Sequence, residues 1–139
     1  MATVQHIFRA PQKRLPMEEV AEISALENSG LAGCAHARTA SARQVLLMDL
    51  ETLELMDLQP GIIRENITTR GINVNGLSAG QRLRVGQAQL EVIMKCTPCD
   101  LVEKIRPGLR RELRGRRGML CRVVASGLIR RGDDIQRIP

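Results

Sequence analysis

The segment Lys95–Val102, KCTPCDLV, sets two cysteines around a Thr-Pro pair. A cysteine thiolate is both a nucleophile and a soft metal ligand, so the setting of each thiol decides its chemistry. Thr97 suits a helix N-cap, Pro98 the first helical position, and Asp100 places an acid in the first turn. That alignment puts Cys99 at the second helical position, where unpaired N–H groups and the positive dipole end favour a thiolate, with Asp100 opposing. A free cysteine can equally be a small buried hydrophobe, and the spacing alone leaves both readings of Cys99 open. CTPC is also a Cys-x-x-Cys pair, a redox couple when it follows a βαβ unit, but no such pattern precedes it. Together with Cys34 and His36 it could complete a four-ligand zinc site, although the two half-sites are unlike and far apart in sequence. Cys121, inside LCRVV, reads as core.

Elements that must position these residues follow from periodicity. VQHIF reads as a strand running into the Pro11–Pro16 stretch, and EEVAEISAL fits strand or helix. Gly30 and Gly33 punctuate a loop that carries Cys34 and His36. Val45–Met48 is a run of four apolar residues, the mark of a strand buried on both faces. Leu50, Leu53 and Met56 share a helical face, with helix against strand left open there. PGIIRENITTRGI opens with a Pro-Gly turn and is rich in β-branched residues, so a strand is expected. Gly76 and Gly80 mark further turns. RLRVG and AQLEVIM form a hairpin around Gly86, whose alternation puts Cys96 on the core face shared by Val92 and Met94. Leu101, Ile105, Leu109 and Leu113 make a helical stripe broken at Pro107–Gly108. MLCRVVASG and GLIRRGDDIQRI read as two β-segments. Many short strands with a few helices call for a closed or partly closed β-barrel, mainly β in an α+β sense.

Composition narrows the partners. The chain's 139 residues suit one domain. Phe8 is its sole aromatic, so the core is aliphatic and no ring is left on which to stack single-stranded bases. Residues 1–94 hold nine Lys and Arg against ten Asp and Glu, whereas residues 95–139 hold twelve against five. That basic end fits an anionic partner or a solvated face. The N-terminus lacks an apolar secretory core, and no run approaches the roughly 20 apolar residues of a spanning helix. A soluble cytoplasmic protein with free thiols and no membrane contact is expected.

In order and spacing, six segments resemble the MOSC domain, the molybdenum-cofactor sulfurase C-terminal module. They are GLAGCAH (30–36), RQVLLMD (43–49), PGIIRENITTRGI (60–72), LSAGQRLRVGQAQLEV (77–92), CTPC (96–99) and GRRGMLCRVVASGLIRRGDDI (115–135). The likeness runs from about residue 20 to 135 within a single domain, 1–139. It implies a β-barrel-like fold with a few short helices and a reactive cysteine at Cys99, which in relatives ligates molybdenum or accepts sulfur. It further implies that Arg64 and Asn66 help line a molybdenum-pterin site. Many relatives carry an acid where this chain has Cys34, which puts an acid-base role for that loop, His36 included, in question. Pyridoxal-phosphate chemistry is expected of a separate partner rather than of this chain.

Three functions stand on these readings. The first is a molybdenum-dependent oxidoreductase reducing N-hydroxylated compounds, with Cys99 on the metal, Arg64 and basic residues of 106–117 on the pterin phosphate, and an electron-donor protein as partner. The second is a sulfur carrier with a persulfide on Cys99, supplied by a cysteine desulfurase. The third is a non-enzymatic basic module whose 106–131 region meets nucleic acid or protein, with nucleic acid the less expected of the two.

Overall fold

Residues Val45–Asp49 are buried at every position, so this strand needs cover on both faces, and the fold supplies it in two layers. The computed structural model describes residues 1–12, 16–41 and 43–139; the Pro11–Pro16 stretch therefore lies partly outside the described residues. In chain order the strands β1 (Ala2–Arg9), β2 (Glu18–Val20), β3 (Glu22–Leu26), β4 (Gly30–Leu31) and β5 (Val45–Asp49) lead to helix α1 (Leu50–Leu55) and strand β6 (Ile67–Arg70). A 3-10 turn at Val74–Gly76 precedes the hairpin β7 (Arg82–Val85) and β8 (Ala88–Lys95). Two short helices follow, α2 (Asp100–Glu103) and α3 (Leu109–Glu112), then β9 (Met119–Ala125), β10 (Gly127–Arg130) and β11 (Asp134–Ile138).

Seven strands run in the order β11-β7-β8-β9-β5-β6-β1, and pairing of β1 with β11 closes them into a barrel. Closure leaves no open edge on this ring, and β2 extends from β1. Neighbours are antiparallel except β5 and β6, whose parallel register needs the crossover that carries α1. A second sheet, β10-β3-β4, adds Ile23, Ala25, Leu31 and Ile129 to the buried cluster that also holds Val45 and Leu47. On the other face of β5, Met48 packs with Leu53, Ile63, Val102, Leu109 and Leu113 of the helical layer. Leu46 joins Cys96 and Leu120 in a small cluster of its own.

The mainly β barrel with short helices is the architecture expected from the sequence. EEVAEISAL is strand, split at Ala21, and 50–55 is helix. Other details differ. The expected strand over 60–72 is confined to Ile67–Arg70; residues 60–66 turn instead, with Gly61 at φ +86 and Arg64 at φ +67, conformations that no strand accommodates. The buried helical stripe runs through Val102 rather than Leu101, which is 44% exposed. Three strands rather than two end the chain, because Gly132, at φ +88, turns it between β10 and β11.

Side-chain bonds lock the outer layer to the barrel. Asp49 Oδ2 caps α1, accepting from Thr52 N–H (2.9 Å) and the Thr52 hydroxyl (2.6 Å). Its Oδ1 accepts from Asn75 Nδ2 at 3.4 Å, and Asn75 Oδ1 accepts from Gly118 N–H at 2.9 Å. Gly118 sits at φ +98, and a Cβ there would overlap the Leu47 carbonyl oxygen. Gly118→Ala should therefore cost about 3 kcal/mol, combining left-handed strain with overpacking against backbone. Urea denaturation of the two proteins measures the difference.

Candidate functional site

The site is built on loops that leave β8, precede β9 and enter β6. Pro98 restricts Thr97 to extended backbone, and residues 96–99 form no regular element. Cys99 is itself the N-cap of α2, in extended conformation and without a side-chain capping bond. This is two positions earlier than the sequence pattern places it, and α2 is a single turn of four residues. Accessibility, not a helix end, sets Cys99 apart: of the four free thiols it is exposed and the other three are buried. Asp100 Oδ1 lies 2.7 Å from Arg110 Nη1, so its charge is matched on the solvent side.

Cys96 is buried, but not with Val92. A register shift between Val92 and Met94 reverses the alternation, leaving Met94 43% exposed and Cys96 against Leu46 and Leu120 on the outer wall. Cys121 faces the barrel interior, where burial pushes its thiol far up. Among the described residues no three His, Cys, Asp or Glu side chains gather to hold a metal ion, so the four-ligand zinc arrangement does not form.

A cavity of about 250 Å³ brings Cys99 together with Arg64 and Asn66, the residues singled out in the sequence, and with His36, Arg43 and Arg117. Leu46, Cys96 and Leu120 form its apolar wall. Arg64 and Leu101 also border an adjoining groove of about 510 Å³, lined by Phe8, Pro60, Ile62, Ile63 and Ile105. Arg64 reaches both spaces from a left-handed residue whose N–H donates to Gly61 O at 3.0 Å. Glu65 pins this turn, since its Oε2 accepts from Gly61 N–H (2.8 Å) and the Thr68 hydroxyl (2.9 Å).

Asn66 is fully buried and its amide is committed to the protein. Oδ1 accepts from Leu46 N–H at 2.9 Å; Nδ2 donates to Phe8 O at 3.2 Å and to Cys34 Sγ at 3.4 Å. It shapes the cavity wall and also fixes His36, whose Nδ1 lies 3.5 Å from Oδ1.

Glu65 was not singled out in the sequence, and Arg117 only as one of the basic residues of 106–117. Arg117 is 5% exposed, and neither Nε nor Nη1 has a hydrogen-bond partner. Glu65 is buried with Oε1 likewise unpaired. Burial raises the Glu65 pKa, opposed by the Gly61 N–H, its own N–H, the Thr68 hydroxyl and the charge of Arg117. Burial also raises that of Cys96, opposed by Arg117 and Arg43. Sequence could have flagged Arg117 only as the second arginine of GRRG before a strand, which turns one arginine of a basic run inward.

Fold and site together define a β-barrel domain with an exposed thiol beside an arginine-lined cavity in its outer wall. The chain belongs to the MOSC domain family, which matches residues 34–136 and is related to the molybdenum cofactor. The YuaD protein of Bacillus subtilis shares this fold at 20% identity, covering 97% of this chain and 94% of its own, with a TM-score of 0.80. YiiM from Geobacillus stearothermophilus aligns over 100% of this chain and 76% of its own at 16% identity and TM-score 0.83. For YiiM from Escherichia coli the figures are 99%, 70%, 18% and 0.73. No curated protein sequence matches the chain. Among the described residues no helix is long and apolar enough to cross a membrane.

Two outcomes follow. Iodoacetamide at neutral pH should modify Cys99 first and leave Cys121 untouched until the protein unfolds, as read by peptide mass spectrometry. For Glu65 the raised folded pKa means a stability contribution present at acid pH and lost as pH climbs through that value. Wild type should therefore lose stability relative to Glu65→Gln as pH rises from the ordinary carboxylate range towards neutrality, measured by denaturation at each pH.

Proposed function

We propose that this chain binds the molybdenum-pterin cofactor at the Cys99 cavity and that the loaded protein reduces N-hydroxylated compounds. One observation carries the reading: an exposed thiol shares a cavity with a buried guanidinium whose Nε and Nη1 have no partner. Buried guanidinium N–H groups left without an acceptor are costly, and an oxyanion offers them charge-assisted bonds. A thiolate is the soft ligand that suits a thiophilic metal such as molybdenum. The residues present therefore fit a group that is both metal-bearing and anionic.

Cys99 would ligate the metal, and Arg117 with Arg43 and Arg64 would receive the phosphate. Asn66 would hold the wall behind them. When bound, the cofactor supplies two-electron reduction, with electrons drawn from a separate donor protein. The adjoining apolar groove, open to the same Arg64 and Leu101, gives the carbon body of a substrate a surface and leaves its polar end at the cavity.

The test is metal and pterin analysis of protein from a host that makes the cofactor. Molybdenum and an oxidised pterin should accompany the wild type, and Cys99→Ala should lose the metal. Arg117→Met should retain about tenfold less cofactor, the size of one lost charge-assisted hydrogen bond. Protein with no molybdenum but with a persulfide on Cys99 would instead favour the sulfur carrier, and stoichiometric zinc would sink both readings.

A further inference from the structure

The groove beside the cavity has a fixed floor and an apolar rim. Ile63 and Val102, each 1% exposed, belong to the core of the helical layer. The Phe8 ring packs so closely on Gly61 that a Cβ there would lie 2.8 Å from it. At the rim stand Ile62, 41% exposed, and Leu101, 44% exposed, one from the turn at 60–66 and the other from α2. Both border the same space of about 510 Å³, within the roughly 300–1,000 Å³ of small-molecule sites. Large apolar side chains that share one opening and stay in water mark a place where an apolar body binds. The bond from Gly61 N–H to Glu65 holds the turn that carries Ile62, so the rim is formed in advance.

Charge decides which bodies fit. Among the described residues Arg64 is the one charged side chain lining the groove, and it also borders the Cys99 cavity, as Leu101 does. No carboxylate among the described residues lines either space. The acids of α2 are committed elsewhere: Asp100 to Arg110 at 2.7 Å, and Glu103 to the Gly108 and Arg110 N–H groups at 2.8 and 3.0 Å. A cation entering here meets Arg64, Arg43 and Arg117 and no lining acid, whereas a carbonyl oxygen meets donors.

We propose that the groove sets the substrate class: hydroxamic acids with an apolar alkyl or aryl body, the body between Ile62 and Leu101 and the N-hydroxyamide end turned past Arg64 towards Cys99. This rests on the cofactor reading above, since the reaction is reductive cleavage of the N–O bond. Two electrons from the donor protein and two protons from solvent convert R–CO–NHOH to R–CO–NH2 and release H2O. Ile62 and Leu101 are then specificity residues, and cationic N-hydroxyguanidines are disfavoured whatever their tail.

The test is binding, read on the full-length protein without cofactor, with 13C-labelled Ile and Leu methyl groups followed by NMR at neutral pH. Octanohydroxamic acid should shift the Ile62 and Leu101 methyls and bind about fiftyfold tighter than acetohydroxamic acid, the worth of half-burying about six further methylenes. N-hydroxy-N′-octylguanidine, a comparable tail on a cationic head, should bind at least about tenfold more weakly than octanohydroxamic acid. Ile62→Glu should weaken octanohydroxamic acid about tenfold and leave acetohydroxamic acid within about twofold. Equal affinity for the octano and aceto compounds would overturn the proposal. So would a cationic compound bound as tightly as the neutral one, or shifts confined to methyls away from the groove, such as those of Leu55. The wild-type titrations decide the matter even where Ile62→Glu fails to fold. Uptake of molybdenum is read separately by metal analysis, so failure of the groove assignment and failure of the cofactor reading are distinct results.

Discussion

Three strands of the barrel meet at one side chain. Asn66 exchanges backbone bonds with Phe8 and Leu46, accepting from Phe8 N–H at 2.7 Å and donating to Leu46 O at 2.9 Å. Its amide then repeats the connection, to Leu46 N–H and Phe8 O. Through these four bonds the start of β6 is wedged between β1 and β5, where no ladder alone could hold a chain arriving from a left-handed turn. A buried amide left half-satisfied costs about 1–3 kcal/mol, so the arrangement tolerates little slack. Everything at the site inherits this anchor: Arg64 stands two residues before it, His36 leans on its oxygen, and Cys34 faces its nitrogen.

The second constraint is that the site lies on the outer wall, under one layer of short helices. Alternation along β5 sends Val45 and Leu47 inward and Leu46 and Met48 outward, so a polar cavity can open beside Leu46 without breaching the main core. The same thin cover lets Arg117 and Glu65 be buried near one another while each keeps an unpaired atom. A buried polar atom left without a partner costs about 1–3 kcal/mol, and more on a charged group. The chain of bonds from Thr52 through Asp49 and Asn75 to Gly118 fixes the backbone beside Arg117. Preorganisation of this kind lets an incoming anion gain the interaction without first ordering the receptor.

Strand content, the hairpin around Gly86 and the doubly buried β5 were legible because period-two patterning reports directly which face is covered. The turn at 60–66 was not, since Ile62, Ile63 and Ile67 imitate a strand, and only the side-chain bonds of Glu65 and Asn66 reveal that the backbone is captured locally. A single bulge hid the fate of Cys96: one residue of slip moves every later side chain to the opposite face. Cys99, Arg64 and Asn66 were legible as residue types in a family pattern. Arg117 was not, because a charge run does not say which of its members turns inward, and Glu65 looked like one more acid.

Thiol chemistry separates two properties that sequence reading joins. Reactivity requires both a thiolate and an approach path. Cys34 accepts two N–H groups at 3.4 Å, but it packs in the main core with Ala10 and Leu31, where neither a substrate nor a metal can reach. Cys99 has the approach path, at an extended N-cap open to solvent.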